Sequence, residues 1–509
     1  MNAINLFLRA GLVAALLLFL QSCGQPQASS CTPYALEGPL DTIKFEQAPF
    51  EWHITPRHDY SQTYVTKLFL SQAEFDRDLL GLYKMRDNGK QTVYMTFEQA
   101  LDAVKGMDAI TLGLPKIVYL VGWQYNGHDS KYPAFFEGDE ALKRPGDADA
   151  LESMRWLMGE AKAFNTAVSL HVNMFDCYDD SPLFDEYVRT DVLAKDKDGK
   201  LITGDWGYKI SYTAEWEKGL TQRRLDSLCR ILPVADAGTL HIDAFHNTVP
   251  TPRWNGEDWS DIELVAPISP WHGYTEVDDV TTQQNIVKYL DAKGIDVTIE
   301  GVGEGDYASS AFDGYIPMYW HYGHLGHQLS LAPSQATGVN YSGRLRCFGY
   351  HLNGEQLFRN AASVGAALDE FKGAFCKSTL IALYLNNFER KAMISDEDDN
   401  SIGLFADGIS TMWKDDYLHV SKDGNVLADR GDVFIPALWL GSGSVVAYSE
   451  DGYSERSWTL PEGVSLPRNA AAWTVTSGGL TEFTGFKVRG RTVTLSLAPD
   501  QMVVIGNLK

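Results

Sequence analysis

The chain has 509 residues, 44% of them hydrophobic and 12% aromatic, which suits two or three packed domains better than one. With 67 acidic against 43 basic residues its formal net charge is −24. That balance argues against nucleic acid as a partner, because phosphates need Lys and Arg to neutralise them. The 13 Trp and 24 Tyr suit either a large β-rich core or sites where flat rings stack on sugar faces.

At the N-terminus, Arg9 and the run GLVAALLLFL (11–20) read as a signal peptide whose apolar stretch is too short to span a bilayer stably. The segment LQSC (20–23) then resembles a bacterial lipobox. That resemblance implies a lipoprotein signal over 1–22, acylation of Cys23 and a tether over 23–31. It also implies an outer-membrane lipoprotein, periplasmic or at the cell surface, that meets the membrane through its lipid anchor only. The remaining cysteines are scattered with no CxxC pair, which argues against a zinc cluster. One or two disulfides suit an exported protein, with no pairing deducible.

Residues 32–95 mix short alternating runs with turns and read as a β-containing lead-in. From 96 the pattern alternates. TFEQALDAVKGM (96–107) has helical spacing and KIVYLVGW (116–123) is a buried strand. Helix 151–165 precedes strand 167–174, helix 216–232 precedes strand 239–245, and helix 281–294 precedes strand 295–301; 312–320 is a further strand. Apolar strands alternating with helices predict a parallel sheet covered by helices. The expected fold class is α/β, a (β/α)8 barrel over 96–400. The alternative is a doubly wound sheet, but no Gly-rich phosphate loop follows the first strand. After 400 the helical signal stops, and short strands separated by KDG, EDG and SGG turns predict a C-terminal β-sandwich over 401–509.

In such a barrel the chemistry lies at the C-terminal strand ends. The strands deliver His128 and Asp129 in YNGHDS, then His171, Asn173 and Asp176 in LHVNMFD. A loop brings Trp206 and Tyr208. The later strands end in Asp243, His246 and Asn247 (LHIDAFHN), Glu300 (TIEGVGEG) and Tyr319, Trp320 and His321. Any one acid here is as well explained by a loop cap or a salt bridge. Together, two acids after apolar runs, with His and Trp around them, form an active-site inventory. Paired carboxylates are the machinery of glycoside hydrolysis, and neighbouring strands ~4.8 Å apart suit the closer spacing of the retaining mechanism. The His and Asp residues could also ligate zinc, but neither an HxH pair after the first strand nor an HExxH motif is present.

These same residues carry a family resemblance. YNGHDSKYP (125–133), HIDAFHN, TIEGVGEG and YWHYGH (319–324), followed by 407–436 and SERSWTLPEG (454–463), resemble the endo-α-N-acetylgalactosaminidases, glycoside hydrolase family 101, and their exo-acting relatives. The resemblance spans about 110–465. It implies Asp243 as nucleophile and Glu300 as acid/base. His128 and Asp129 would hold sugar hydroxyls, and His171 and Trp206 would line the sugar subsites. Tyr208, His246 and Trp320 complete the expected substrate-binding set. The implied reaction is retaining hydrolysis of α-linked N-acetylgalactosamine, alone or as the core-1 disaccharide, from Ser or Thr of mucin-type O-glycoproteins. It needs no cofactor, and a structural calcium is compatible with it. The insert at 252–274 lengthens the Asp243-to-Glu300 spacing and leaves endo against exo action open. The long flanking carbohydrate-binding modules of the large enzymes are not found in this sequence. Two other readings stand beside this one: an α-galactosidase-like retaining enzyme of another specificity, and a non-catalytic glycan-binding surface lipoprotein. The oligomeric state is not readable from the sequence.

Overall fold

The computed structural model describes residues 36, 38–45, 51–77, 83–204, 207–245, 253–254, 259–260, 268–300, 312, 314–320, 356–398, 400–415, 417–441 and 443–506. The signal, Cys23 and the tether lie outside the described residues, as do Trp206 and His246.

The main sheet has six parallel strands: β2 (Tyr64–Phe69), β5 (Lys116–Val121), β6 (Thr166–Asn173), β10 (Thr239–Asp243), β13 (Asp296–Glu300) and β14 (Tyr319–Trp320). Between them come, in chain order, β3 (Ser71–Arg77), β4 (Tyr83–Val93), α1 (Phe97–Thr111), α2 (Ala150–Glu160), β7 (Asp176–Cys177), α3 (Phe184–Arg189), β8 (Thr203–Gly204) and β9 (Gly207–Lys209). The helices α4 (Tyr212–Glu217) and α5 (Leu220–Ile231), the two-residue strands β11 (Arg253–Trp254) and β12 (Trp259–Ser260), and α6 (Glu276–Asp291) follow. Each sheet strand neighbours the next one in chain order. A doubly wound sheet would reverse direction at a switch point; among the described strands the order does not reverse, which removes that alternative.

Local chemistry sets the helix ends. Thr96 and Gln99 form a reciprocal capping box at the start of α1, and Thr275 and Asp278 do the same for α6. The helix predicted over 216–232 is two helices, α4 and α5. Gly219 adopts φ +71° between them, a conformation that turns the chain sharply and favours glycine.

Two sequence expectations need correction. The strands are not apolar throughout. One face is aliphatic, with Leu68, Val118, Leu170, Val172, Ile242 and Ile299 in a single core with the helices, each fully buried side chain contributing about 1.5–3 kcal/mol. The other face carries Lys67, Tyr119, Ser169, His171, His241 and Thr298, brought level by the strand register. The domain boundaries also shift. β2 pairs along its whole length with β5, so the parallel sheet begins inside the segment read as a lead-in. At the other end β15 (Arg390–Ser395) pairs with β1 (Asp41–Lys44) at the edge of an eleven-stranded antiparallel sheet, so the C-terminal unit begins before 401 and recruits an N-terminal strand.

That large sheet is the C-terminal antiparallel unit. A three-stranded sheet (Tyr453–Thr459, Phe486–Arg489, Thr492–Leu497) packs on one of its faces through Phe434, Trp458, Val493 and Ile505. Its other face meets α7 (Val364–Ala374) and α8 (Leu380–Leu385), where Phe371 and Leu380 join Val433, Val446 and Val504 in the main core. The N-terminal end of the parallel sheet is closed by residues 53–60. Arg57 pairs with Asp291 at 2.9 Å, its backbone N–H and that of His58 donate to the Asp296 carboxylate, and Tyr60 packs with Val65, Ile117, Tyr119 and Met318. The opposite end, where the candidate residues lie, is left for the loops. No helix among the described residues is long and apolar enough to cross a membrane.

Candidate active site

The C-terminal ends of β6, β10, β13 and β14 form one level. Asn173 is the register partner of Asp243, Ile242 that of Ile299 and Glu300 that of Trp320. Asp243 and Glu300 therefore end adjacent parallel strands in register. For Glu300 and Trp320 only the strand backbone is described.

The side chains around Asp243 come from two strands and one loop. His171 stands two residues before Asn173, and its Nε2 is 3.6 Å from Asp243 Oδ2. The His171 side chain is 2% exposed and that of Asp243 16%, so the carboxylate reaches the surface of the site while the imidazole lies behind it. The His171 ring meets His128 edge-on at 5.3 Å and His241 at 5.2 Å between centroids. His128 Nε2 is 3.5 Å from Asp129 Oδ2. The structure thus brings His128, Asp129, His171 and Asp243 together.

The loop after β5 earns its position through close backbone approach. A side chain on Gly122, which has φ +72°, would run into the Ser71 carbonyl at 1.9 Å. Only glycine lets His128 N–H donate to that carbonyl at 3.0 Å. Tyr125, Asp129 and Lys131 in the same loop all have positive φ, a concentration of uncommon conformations of the kind found at functional sites. The β3–β4 hairpin holds the loop from outside. Asp87 accepts from Asn126 at 3.0 Å, from Ser130 at 2.7 Å and from Lys131 at 3.1 Å, and Lys131 also reaches Asp180 at 2.5 Å. Burial alone would raise the Asp87 carboxyl, but these donors outweigh it and hold it below its ordinary value.

Tyr132 and Tyr178 stack beside this group with centroids 6.3 Å apart. Burial pushes both phenols well above their ordinary value, and the charges of Asp129 and Asp243 push the same way, so both stay protonated as donors. Under the site, His241 Nδ1 lies 2.9 Å from Thr298 Oγ1, and Thr298 Oγ1 lies 3.0 Å from the Tyr119 hydroxyl. Burial, then the charges of Lys67 and His171, hold His241 well below its ordinary value; it is neutral.

Other residues at the strand ends are engaged structurally. Asp176 is paired with Lys209 at 2.5 Å and accepts from Asn173 Nδ2 at 2.7 Å, and Asn173 in turn accepts from two backbone N–H groups of the turn. Tyr208, expected among the substrate-binding residues, packs its ring on Phe184 at 5.4 Å in a satellite apolar cluster. His241 and the pair Tyr132 and Tyr178 were missed from sequence. His241 was readable: it precedes Asp243 by two residues, and strand alternation puts such residues on one face. The tyrosines carried no such signal. No group of three or more His, Cys, Asp or Glu side chains among the described residues is arranged to hold a metal. Cys177, Cys229 and Cys376 are free thiols.

A partly exposed carboxylate at the strand ends, with a buried imidazole 3.6 Å away and His128 and Asp129 close by, can act on a polyhydroxylated ligand as nucleophile or base. Residues 84–265 match the family model of endo-alpha-N-acetylgalactosaminidase. That match bears out the resemblance read from the sequence and marks a glycoside hydrolase segment in this chain, an enzyme class. It spans every expected site position from His128 to His246 and stops short of Glu300. No curated protein matches the chain. Among solved structures, alpha-N-acetylgalactosaminidase NagBb of Bifidobacterium bifidum, in complex with Gal-NHAc-DNJ, superposes with TM-score 0.46 at 14% identity, covering 72% of this chain and 59% of its own. This chain therefore matches less than two thirds of that protein's length. The alpha-amylase of Geobacillus thermoleovorans gives TM-score 0.40 at 8% identity over 89% of this chain and 100% of its own. The GH36 alpha-galactosidase AgaA of Geobacillus stearothermophilus gives 0.40 at 12% identity over 81% and 53%. Superpositions this loose transfer neither residues nor substrate.

Proposed function

We propose that this chain is a retaining α-N-acetylgalactosaminidase acting on O-linked glycans, with Asp243 as nucleophile and Glu300 as acid/base. The observation that carries the reading is the register: two acids end adjacent parallel strands, β10 and β13, at the level where His128, Asp129 and His171 converge. The family match over 84–265 supports the sugar class. We read the six-stranded sheet as part of an eight-stranded barrel, which its unreversed strand order supports.

Asp243 attacks the anomeric carbon while Glu300 gives a proton to the leaving Ser or Thr oxygen. A covalent glycosyl-enzyme forms, and Glu300 then takes a proton from the water that hydrolyses it. His128 and Asp129, both partly exposed, bind the sugar's polar groups.

Mass analysis of a mucin-type glycopeptide after incubation with the protein tests this reading. Release of N-acetylgalactosamine or the core-1 disaccharide is expected, and Asp243→Asn is expected to lower kcat by about 10⁴-fold or more. Release of a different sugar, or full turnover by Asp243→Asn, would overturn it.

A further inference from the structure

His171 sits too deep to line a sugar subsite. Its side chain is 2% exposed, with the His128 ring on one side and the His241 ring on the other. The atom it presents toward the site, Nε2, faces Asp243 Oδ2 at 3.6 Å. His241, which backs it, is itself anchored to Thr298 and through Thr298 to Tyr119. Rotation of a carboxylate about its Cβ–Cγ bond decides which oxygen it offers and in which direction. Attack at an anomeric carbon requires one oxygen aligned at about 3–3.5 Å.

We propose that His171 is a positioning residue for Asp243. Its Nε2–H holds Oδ2, which fixes the rotation of the carboxylate and leaves Oδ1 facing the anomeric carbon. His128 and His241 keep the imidazole itself from turning. The 3.6 Å separation is longer than a formed hydrogen bond, and bonds of this kind tighten when the substrate is bound. The inference rests on Asp243 being the nucleophile. It differs from the family-based expectation for His171, because it places the residue's effect on the chemical step and not on sugar binding.

The first arm of the test measures kcat and KM on an aryl α-N-acetylgalactosaminide for wild type, His171→Ala and His171→Gln, with thermal melting to establish that each is folded. His171→Ala is expected to lower kcat about 100-fold, the size of effect that follows from a misplaced reacting group, with KM little changed. His171→Gln keeps an N–H donor and is expected to recover part of the loss. A raised KM at preserved kcat, or equal loss in both variants, would overturn the proposal. The second arm needs no turnover. The His171 imidazole is titrated by NMR in wild type and in Asp243→Asn, its signal identified by its loss in His171→Gln. The groups facing it are His128 with Asp129 beyond, and Asp243 and His241, with the charge of Lys67 acting on His241. Removing the Asp243 charge is expected to lower the midpoint by about one pH unit or more; an unchanged midpoint contradicts the pairing. If wild type releases no sugar, the functional reading fails and the second arm still decides whether His171 holds Asp243.

Discussion

Asp279 lies in the first turns of α6 with its side chain buried, and neither carboxylate oxygen has a hydrogen-bond partner among the described residues. Burial, then the charges of Glu276 and Asp278, push its carboxyl up to about 8. The folded state therefore binds a proton that the unfolded chain releases near its ordinary value. Such a group destabilises the fold progressively as pH rises from about 4 to about 8, at up to about 1.4 kcal/mol per pH unit, and has no effect below that window. Thermal melts of wild type and Asp279→Asn across that range check this. The variant is expected to match wild type near pH 4 and to be increasingly the more stable toward pH 8. Parallel curves would show that the carboxyl titrates normally. The same scale shows what residue patterns in the sequence can and cannot tell apart. Asp243 and Asp176 both follow an apolar strand, and in sequence they carry one signal. In the fold Asp176 is paired with Lys209 and Asn173, while Asp243 reaches the site surface beside His171. Their difference depends on Lys209, which is distant in sequence.

At the scale of elements, α3, α4 and α5 are joined beneath the site by one buried ion pair. Arg224 Nε lies 2.8 Å from Glu215 Oε1, both side chains are almost fully buried, and Tyr187 and Thr221 also donate to the same carboxylate. Arg224 further donates to the Met174 carbonyl at 3.0 Å, just past the end of β6. Removing one partner leaves a buried charge uncompensated, which costs about 3–5 kcal/mol. Arg224→Leu is expected to lose stability on that order in denaturant unfolding; a loss well under 1 kcal/mol would show that the pair is dispensable. The strands at 116–123, 167–174, 239–245 and 295–301 were legible, each as an apolar run flanked by helical spacing, and all four appear within a few residues of those bounds. β2 was not. Its run YVTKLF carries Lys67 in the middle, which reads as a half-exposed strand, yet that lysine is fully buried on the sheet's polar face. The split of α4 from α5 was signalled by Gly219 but masked by good helix formers on both sides.

Over the whole molecule, one sheet does two jobs. Its aliphatic face packs on the helices, and its polar face organises a column of His, Thr and Tyr side chains that ends at Asp243. Glycoside hydrolase character was legible because motif order survives where overall similarity is slight. Position in space was not legible, because the polar column is assembled from strands far apart in sequence. The central claim, two strand-end carboxylates working by double displacement, is tested most directly by proton NMR of the sugar first released from an α-N-acetylgalactosaminide. The account predicts that the α-anomer appears first and mutarotates later; first appearance of the β-anomer would contradict it.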